Sequence, residues 1–169
     1  MQFYPLKQSD LNGFVADICR DIAKSDWKPD YVVGIGRGGS IPAVMISEYF
    51  DVPYYSVSVN LHAHSNTEHN CWIPCDAFGE ESTRKNILVV DDLNETGETL
   101  NWVVEDWQSA CLPDSPEWDT IWNNNVKFAV VADNTASKFS KNIDFCGFEI
   151  NQPKDDYLIT FPYTRWWQI

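Results

Sequence analysis

Two spacings of apolar residues divide the chain. Leu11, Phe14, Val15, Ile18 and Ile22 recur every three or four residues, which predicts an amphipathic helix capped by Ser9 and running to about Lys24. Tyr31 to Ile35, Tyr54 to Val59, Ile87 to Val90 and Val126 to Ala132 are instead short, nearly unbroken apolar runs. Such runs, lacking polar alternation, predict strands buried on both faces, as in a parallel sheet. After the first run comes Gly36-Arg37-Gly38-Gly39-Ser40, and Ile41-Pro42 is expected to open a helix through about Phe50, since proline suits a first helical turn. After the Ile87 run comes a polar turn, and then Leu100, Val103, Val104 and Trp107 return to helical spacing. Strand, small polar loop and helix thus occur in that order twice. The predicted class is α/β, a mostly parallel central sheet flanked by helices.

The remaining stretches are less regular. Asn60 to Asn86 lies between two core strands and shows little pattern, as expected of a functional loop or hood rather than a linker. Cys111 to Asn125 reads as a connection with a short helical piece, its Trp118 and Trp122 expected to pack. Cys146 to Ile150 predicts a short strand, and an aromatic-rich segment from Asp155 to Tyr163 closes the chain ahead of Trp166 and Trp167. No repeat or low-complexity segment interrupts this order, so residues 1–169 are expected to form one domain, with 60–86 as a lid or hood insertion.

Composition narrows the function. A formal charge of −13 disfavours a nucleic-acid surface. Five cysteines without a CxxC pair, no apolar leader in Met1 to Asp10 and no apolar run long enough to span a membrane predict a soluble, cytoplasmic protein. The Asn60–Asn86 stretch holds His62, His64, His69, Cys71 and Cys75, but their spacing matches no zinc finger, and no metal is expected there.

The candidate chemistry sits after the two buried runs. Asp91 and Asp92 stand at the end of the Ile87 run, where open α/β sheets bind ligands. Two adjacent carboxylates suit a polyol, a hydrated divalent ion, or both. Glu95-Thr96-Gly97-Glu98-Thr99 then offers hydroxyls and a closely approachable backbone just before a helix N-terminus, which is an anion cradle. A phosphate at one end and a diol at the other describe a ribose 5-phosphate. Gly36 to Ser40 adds a second anion site with one fixed cation, Arg37.

The stretch Ile87 to Thr99 resembles the phosphoribosyl-pyrophosphate (PRPP) motif of type I phosphoribosyltransferases; a Walker A loop would carry lysine before its last Ser/Thr. The Arg37-Gly38-Gly39 loop is similar to the pyrophosphate loop of purine-type members, and Asp156 to Tyr163 resembles the ending of small xanthine/hypoxanthine-guanine enzymes. The resemblance implies a type I phosphoribosyltransferase-like fold with a hood. It implies Mg²⁺-dependent transfer of ribose 5-phosphate from PRPP to a base, most simply a purine, with homo-oligomerisation left open. It places Asp91, Asp92, Glu95, Thr96, Gly97, Glu98 and Thr99 on PRPP, and Arg37, Gly38 and Gly39 on pyrophosphate. Asp91, Asp92 and Asp156 are the implied Mg²⁺ ligands, and Glu95 and Arg37 the catalytic residues. Residues 133–169 are the implied base-binding region, with Asn134, Tyr157 and Leu158 on the base. Relatives carry a lysine at the end of the strand that here closes on Asp133 and Asn134, which predicts weaker or broader 6-oxopurine use. A non-catalytic PRPP or nucleotide sensor and a phosphoribosyl hydrolase are the competing functions, separated from a transferase by whether pyrophosphate release requires an added base.

Overall fold

The computed structural model describes residues 2–59, 61, 72–80, 82–152, 154 and 157–168. Five parallel strands form the main sheet in the order β3-β2-β4-β5-β6: β2 Tyr31–Ile35, β3 Tyr54–Val57, β4 Ile87–Asn94, β5 Val126–Asn134 and β6 Phe145–Ile150. Helix α1 (Gln8–Lys24) and helix α2 (Gly36–Phe50) cover one face. Helices α3 (Trp72–Phe78), α4 (Glu98–Ala110) and α5 (Trp118–Ile121) cover the other. Strand alternation sends Val33, Ile35, Val89, Phe128 and Val130 into the α3–α5 core and Val32, Leu88, Val90, Ala129 and Val131 into the α1–α2 core. Both faces being dry explains why these strands read as continuous apolar runs. Trp107, Trp118 and Trp122 are buried, the last two stacked at 5.3 Å, so packing accounts for these tryptophans.

Several elements differ from the sequence expectations. A short strand β1 (Gln2–Pro5) precedes α1 and pairs in parallel with β7 (Tyr157–Thr160), making a two-stranded sheet apart from the main one. Helix α1 starts at Gln8 after Lys7, and the acceptor at its first turn is Asp10, which takes the Lys7 N–H at 2.8 Å, rather than Ser9. Strand β3 stops at Val57. Within the expected hood, α3 is core: Ile73 and Ala77 are fully buried, and the Tyr31 hydroxyl donates to Asp76 at 3.0 Å. Pro74 is compatible with α3 because it falls in the first turn, where its missing N–H would find no partner anyway. His62, His64, His69 and Cys71 lie outside the described residues; Cys75 is exposed on α3. Among the described residues no helix is long and apolar enough to cross a membrane.

The connectivity positions the site. From β2 the chain turns through α2 to β3 on one side; from the neighbouring β4 it turns through α4 to β5 on the other. The carboxyl ends of β2 and β4 therefore flank a topological switch point, where the two outgoing helices diverge and leave a crevice.

Candidate active site

The glycine-rich stretch forms the first turn of α2, which begins at Gly36, rather than a loop ahead of it, and Gly36 itself holds a left-handed φ of 56° where strand turns into helix. Pro42 consequently lies inside the helix. Its missing N–H would have bonded the carbonyl four residues back, that of Gly38. That carbonyl instead lies 3.3 Å from the Tyr163 hydroxyl.

Strand β4 runs on through Asn94, so Asp91 and Asp92 sit within it rather than at its end. The cause is β5, whose Val130, Ala132 and Asp133 continue the ladder opposite Asp91, Leu93 and Asn94 after β2 has ended. The other edge of this extension faces the first turn of α2. A Cβ on Gly38 would fall 2.2 Å from Asp92 Oδ2, and one on Gly39 would fall 2.4 Å from the Val90 carbonyl. Glycine at these two positions lets the helix N-terminus and the acids meet.

Asp91 is 8% exposed, and its Oδ1 accepts the Asp92 N–H at 2.9 Å. Burial, reinforced by the neighbouring Asp92, holds the Asp91 carboxyl well above the ordinary aspartate range. Asp92 Oδ2 accepts the Tyr163 hydroxyl at 2.8 Å. Burial, then Asp92, raise the Tyr163 hydroxyl, which stays protonated and donates.

The turn after β4 ends at Gly97, whose φ of 89° suits glycine and which is the residue before α4. A Cβ there would meet the Phe139 amide nitrogen at 2.3 Å, because the 135–140 loop lies against this turn. The Lys138 N–H donates to the Thr96 carbonyl at 2.9 Å, and Asn101 holds Lys138 and Ser140. Thr96 and Glu98 remain exposed and Thr99 half-buried. Neither α2 nor α4 is closed by a side chain of its N-cap residue, Ile35 or Gly97. The Glu98 N–H of α4 donates to the Thr96 hydroxyl at 3.3 Å, and beyond it both helices turn their N-termini, the positive end of the dipole, to the crevice.

One cavity of about 590 Å³ joins these parts, lined by Arg37, Gly38, Asp91, Asp92 and the whole Glu95–Thr99 turn. Among the described residues that line it, four carboxylates (Asp91, Asp92, Glu95 and Glu98) face one guanidinium. A second cavity of about 600 Å³ shares Arg37, Gly38 and Asp92 and is completed by Tyr163 to Trp167.

Other predicted site residues fall elsewhere. Asn134 is 6% exposed and its amide is committed within the protein: Nδ2 donates to the Glu95 carbonyl at 2.7 Å, and Oδ1 accepts from Ala136 at 3.1 Å and Gln152 at 3.0 Å. It joins β5 to the Glu95 turn and is not among the residues lining the cavity. Leu158 stands 38% exposed on β7, and Tyr157 is described only by its backbone register with Gln2. Asp156 lies outside the described residues. Tyr163 and Asn94 were missed. Asn94 Nδ2 donates to Asp133 and Ser137, both at 2.8 Å, tying β4 to β5 under the site. The sequence signal for Tyr163 was its place in the Phe-Pro-aromatic ending, which by itself says nothing of a partner.

Residues 8–164 match the family model for the phosphoribosyl transferase domain, and the chain belongs to that family. Among solved structures it is similar to a purine phosphoribosyltransferase from Pyrococcus horikoshii, with 24% identity, a TM-score of 0.68, and coverage of 96% of this chain and 94% of that one. It is similar to the xanthine-guanine-hypoxanthine phosphoribosyltransferase of Helicobacter pylori at 16% identity and a TM-score of 0.67, covering 99% and 97%. A hypothetical protein from Neisseria gonorrhoeae with bound ppGpp follows at 21% identity and a TM-score of 0.66, covering 99% and 90%. A comparison with curated proteins found no match.

Proposed function

We propose that this phosphoribosyltransferase transfers ribose 5-phosphate from PRPP to a purine-type base in the cytoplasm, releasing pyrophosphate with the help of Mg²⁺. The observation that carries the reading is the meeting, at one switch point, of an acid pair, the open N-terminus of α4 and the Arg37 turn of α2. Thr96, Gly97, Glu98 and Thr99 hold the 5-phosphate through backbone amides and hydroxyls, with the α4 dipole favouring its charge. Asp91 and Asp92 accept hydrogen bonds from the ribose hydroxyls, fixing the ring between the two anion sites. Arg37 and the Gly38 and Gly39 backbone receive the departing pyrophosphate. Glu95, at the mouth of the cavity, takes the proton from the attacking base nitrogen. Positioning and electrostatics carry most of the catalysis, since positive charge grows on the ribose and negative charge on the leaving group.

The donor set fits Mg²⁺. Four carboxylates against one arginine would repel PRPP without a cation. Among the described residues no group of three or more His, Cys, Asp or Glu could hold a metal, whereas Mg²⁺ characteristically takes one or two carboxylates and completes its shell with water and substrate phosphates. Asp91 and Asp92 would hold it, Asp156 of the implied set lying outside the described residues, and when bound it supplies neutralisation of the pyrophosphate charge. Purine choice rests on the names of the similar structures, with Tyr157 and Leu158 at the base.

The test is pyrophosphate release from PRPP with a panel of purines and pyrimidines. Release that depends on a purine supports the proposal; release without base, or none with any base, overturns it. A second reading, a nucleotide-binding regulator on the same fold, draws on the ppGpp-bound neighbour. It requires tight ppGpp binding together with no turnover.

A further inference from the structure

We infer that Tyr163 is a positioning residue for Asp92, so that the C-terminal arm sets the geometry of the ribose and metal carboxylate. The inference rests on the proposed transferase reading. Asp92 is constrained from three directions. Its own N–H is fixed on Asp91 Oδ1 at 2.9 Å. Gly38 packs so close that a Cβ would fall 2.2 Å from Asp92 Oδ2 and 2.6 Å from its Cγ. The Tyr163 hydroxyl lies 2.8 Å from the same Oδ2, and no other side-chain donor to Asp92 stands among the described residues. One oxygen is thereby engaged by the protein and Oδ1 is left for a ligand.

Tyr163 is itself held. Its ring stacks on Phe161 at 5.4 Å with planes 10° apart, and Phe161 is 6% exposed in the α1–α2 core. Pro42 supplies the other half of the arrangement. It leaves the Gly38 carbonyl without its helical partner, and that carbonyl, on the turn that carries Arg37, lies 3.3 Å from the hydroxyl, the longer arm of a proton shared with Asp92. One phenol oxygen therefore touches both the acid-bearing strand and the pyrophosphate-side helix, 71 residues beyond Asp92 in the chain. Arg37, Gly38 and Asp92 border both cavities, and Tyr163 lines the second, so its hydroxyl reaches Asp92 from that side. A carboxylate that must grip a ribose hydroxyl or a hydrated cation benefits from a rotamer set in advance, because supporting hydrogen bonds orient ligating groups.

The experiment is a double-mutant cycle of Tyr163→Phe and Asp92→Ala on the full chain. It is read by calorimetric binding of PRPP with Mg²⁺, by steady-state kinetics and by thermal melting. Phenylalanine keeps the stack on Phe161 and removes only the hydroxyl. Tyr163→Phe is expected to weaken PRPP binding and lower kcat/KM for PRPP about ten- to a hundredfold, the range for a hydrogen bond to a charged group. KM for the base should stay unchanged. In the Asp92→Ala background, where the acceptor is gone, the same substitution should have less than a threefold effect, which a merely structural role would not produce. Equal effects of Tyr163→Phe in both backgrounds, or a rise in the base KM matching that for PRPP, would overturn the inference while leaving the transferase reading intact. A wild type that neither binds nor turns over PRPP would overturn the reading, and the inference with it.

Discussion

Glycine-to-alanine substitution at three positions makes the packing of α2 on β4 measurable. At Gly39 the new methyl would lie 2.4 Å from the Val90 carbonyl oxygen and 3.0 Å from the Asp91 Cα. Both belong to the backbone of a central strand paired on either side with β2 and β5, which has no direction in which to give. Overpacking of this kind costs about 1–3 kcal/mol, and an immovable backbone belongs at the upper end. Replacing glycine inside a helix returns about 1 kcal/mol. The net loss is about 2 kcal/mol, which at 2–4 °C per kcal/mol for a chain of this length lowers Tm by about 4–8 °C. At Gly38 the obstacle is the Asp92 carboxylate, a side chain that can rotate away. Stability there should change by less than about 1 kcal/mol, since the helical gain offsets the lost Tyr163 bond, while PRPP binding falls. At Gly13, exposed on α1, no atom lies within 4 Å of the added methyl. That substitution should stabilise by about 0.5–1 kcal/mol. Melting curves of the three variants supply the comparison. If Gly39→Ala melts at or above wild type while Gly13→Ala shows its gain, the close approach of α2 to β4 is wrong, and with it the account of how the acids meet the Arg37 turn.

Three further predictions concern the acids and their support. The folded chain holds the Asp91 proton more tightly than the unfolded chain does, so wild-type stability falls as pH rises from the ordinary value of 3.8 through the raised folded pKa. Asp91→Asn keeps the Oδ1 acceptor and removes the buried charge. It should therefore raise Tm at pH 7 in metal-free buffer, with the gain shrinking toward about pH 4; a destabilised variant at neutral pH contradicts the burial argument. Replacing Asp91 and Asp92 together by Asn should abolish calorimetric PRPP binding with Mg²⁺ in a folded protein, and unchanged affinity would remove both from the site. Asn134→Ala removes three hydrogen bonds, to the Glu95 carbonyl and from the Ala136 and Gln152 amides. At about 0.5–1.5 kcal/mol for each, it should cost about 2 kcal/mol or more in thermal melts. A loss of purine discrimination at unchanged Tm would return Asn134 to the base.

Local pattern determined more of this protein than its low identity to solved relatives would suggest. Helix α1, strands β2 and β5 and helix α4 were legible because their apolar spacing follows directly from burial on one or both faces. The Asp91–Thr99 stretch was legible because an anion cradle at a strand-to-helix turn is built from consecutive residues, so its chemistry is written in order. Elements stabilised by distant partners were not. Strand β1 exists only through β7, from the other end of the chain, and β4 reaches Asn94 only because β5 offers backbone partners beyond the end of β2. The seven-residue α3 is too short to show a period and is held by the α3–α5 core. Asn134 looked available until its amide met Glu95, Ala136 and Gln152. The switch point that brings Arg37 to the acid pair, and the reach of Tyr163 to Asp92, depend on strand order and on packing across the sheet. No local spacing encodes either, because each is set by which segments can bury their apolar faces together.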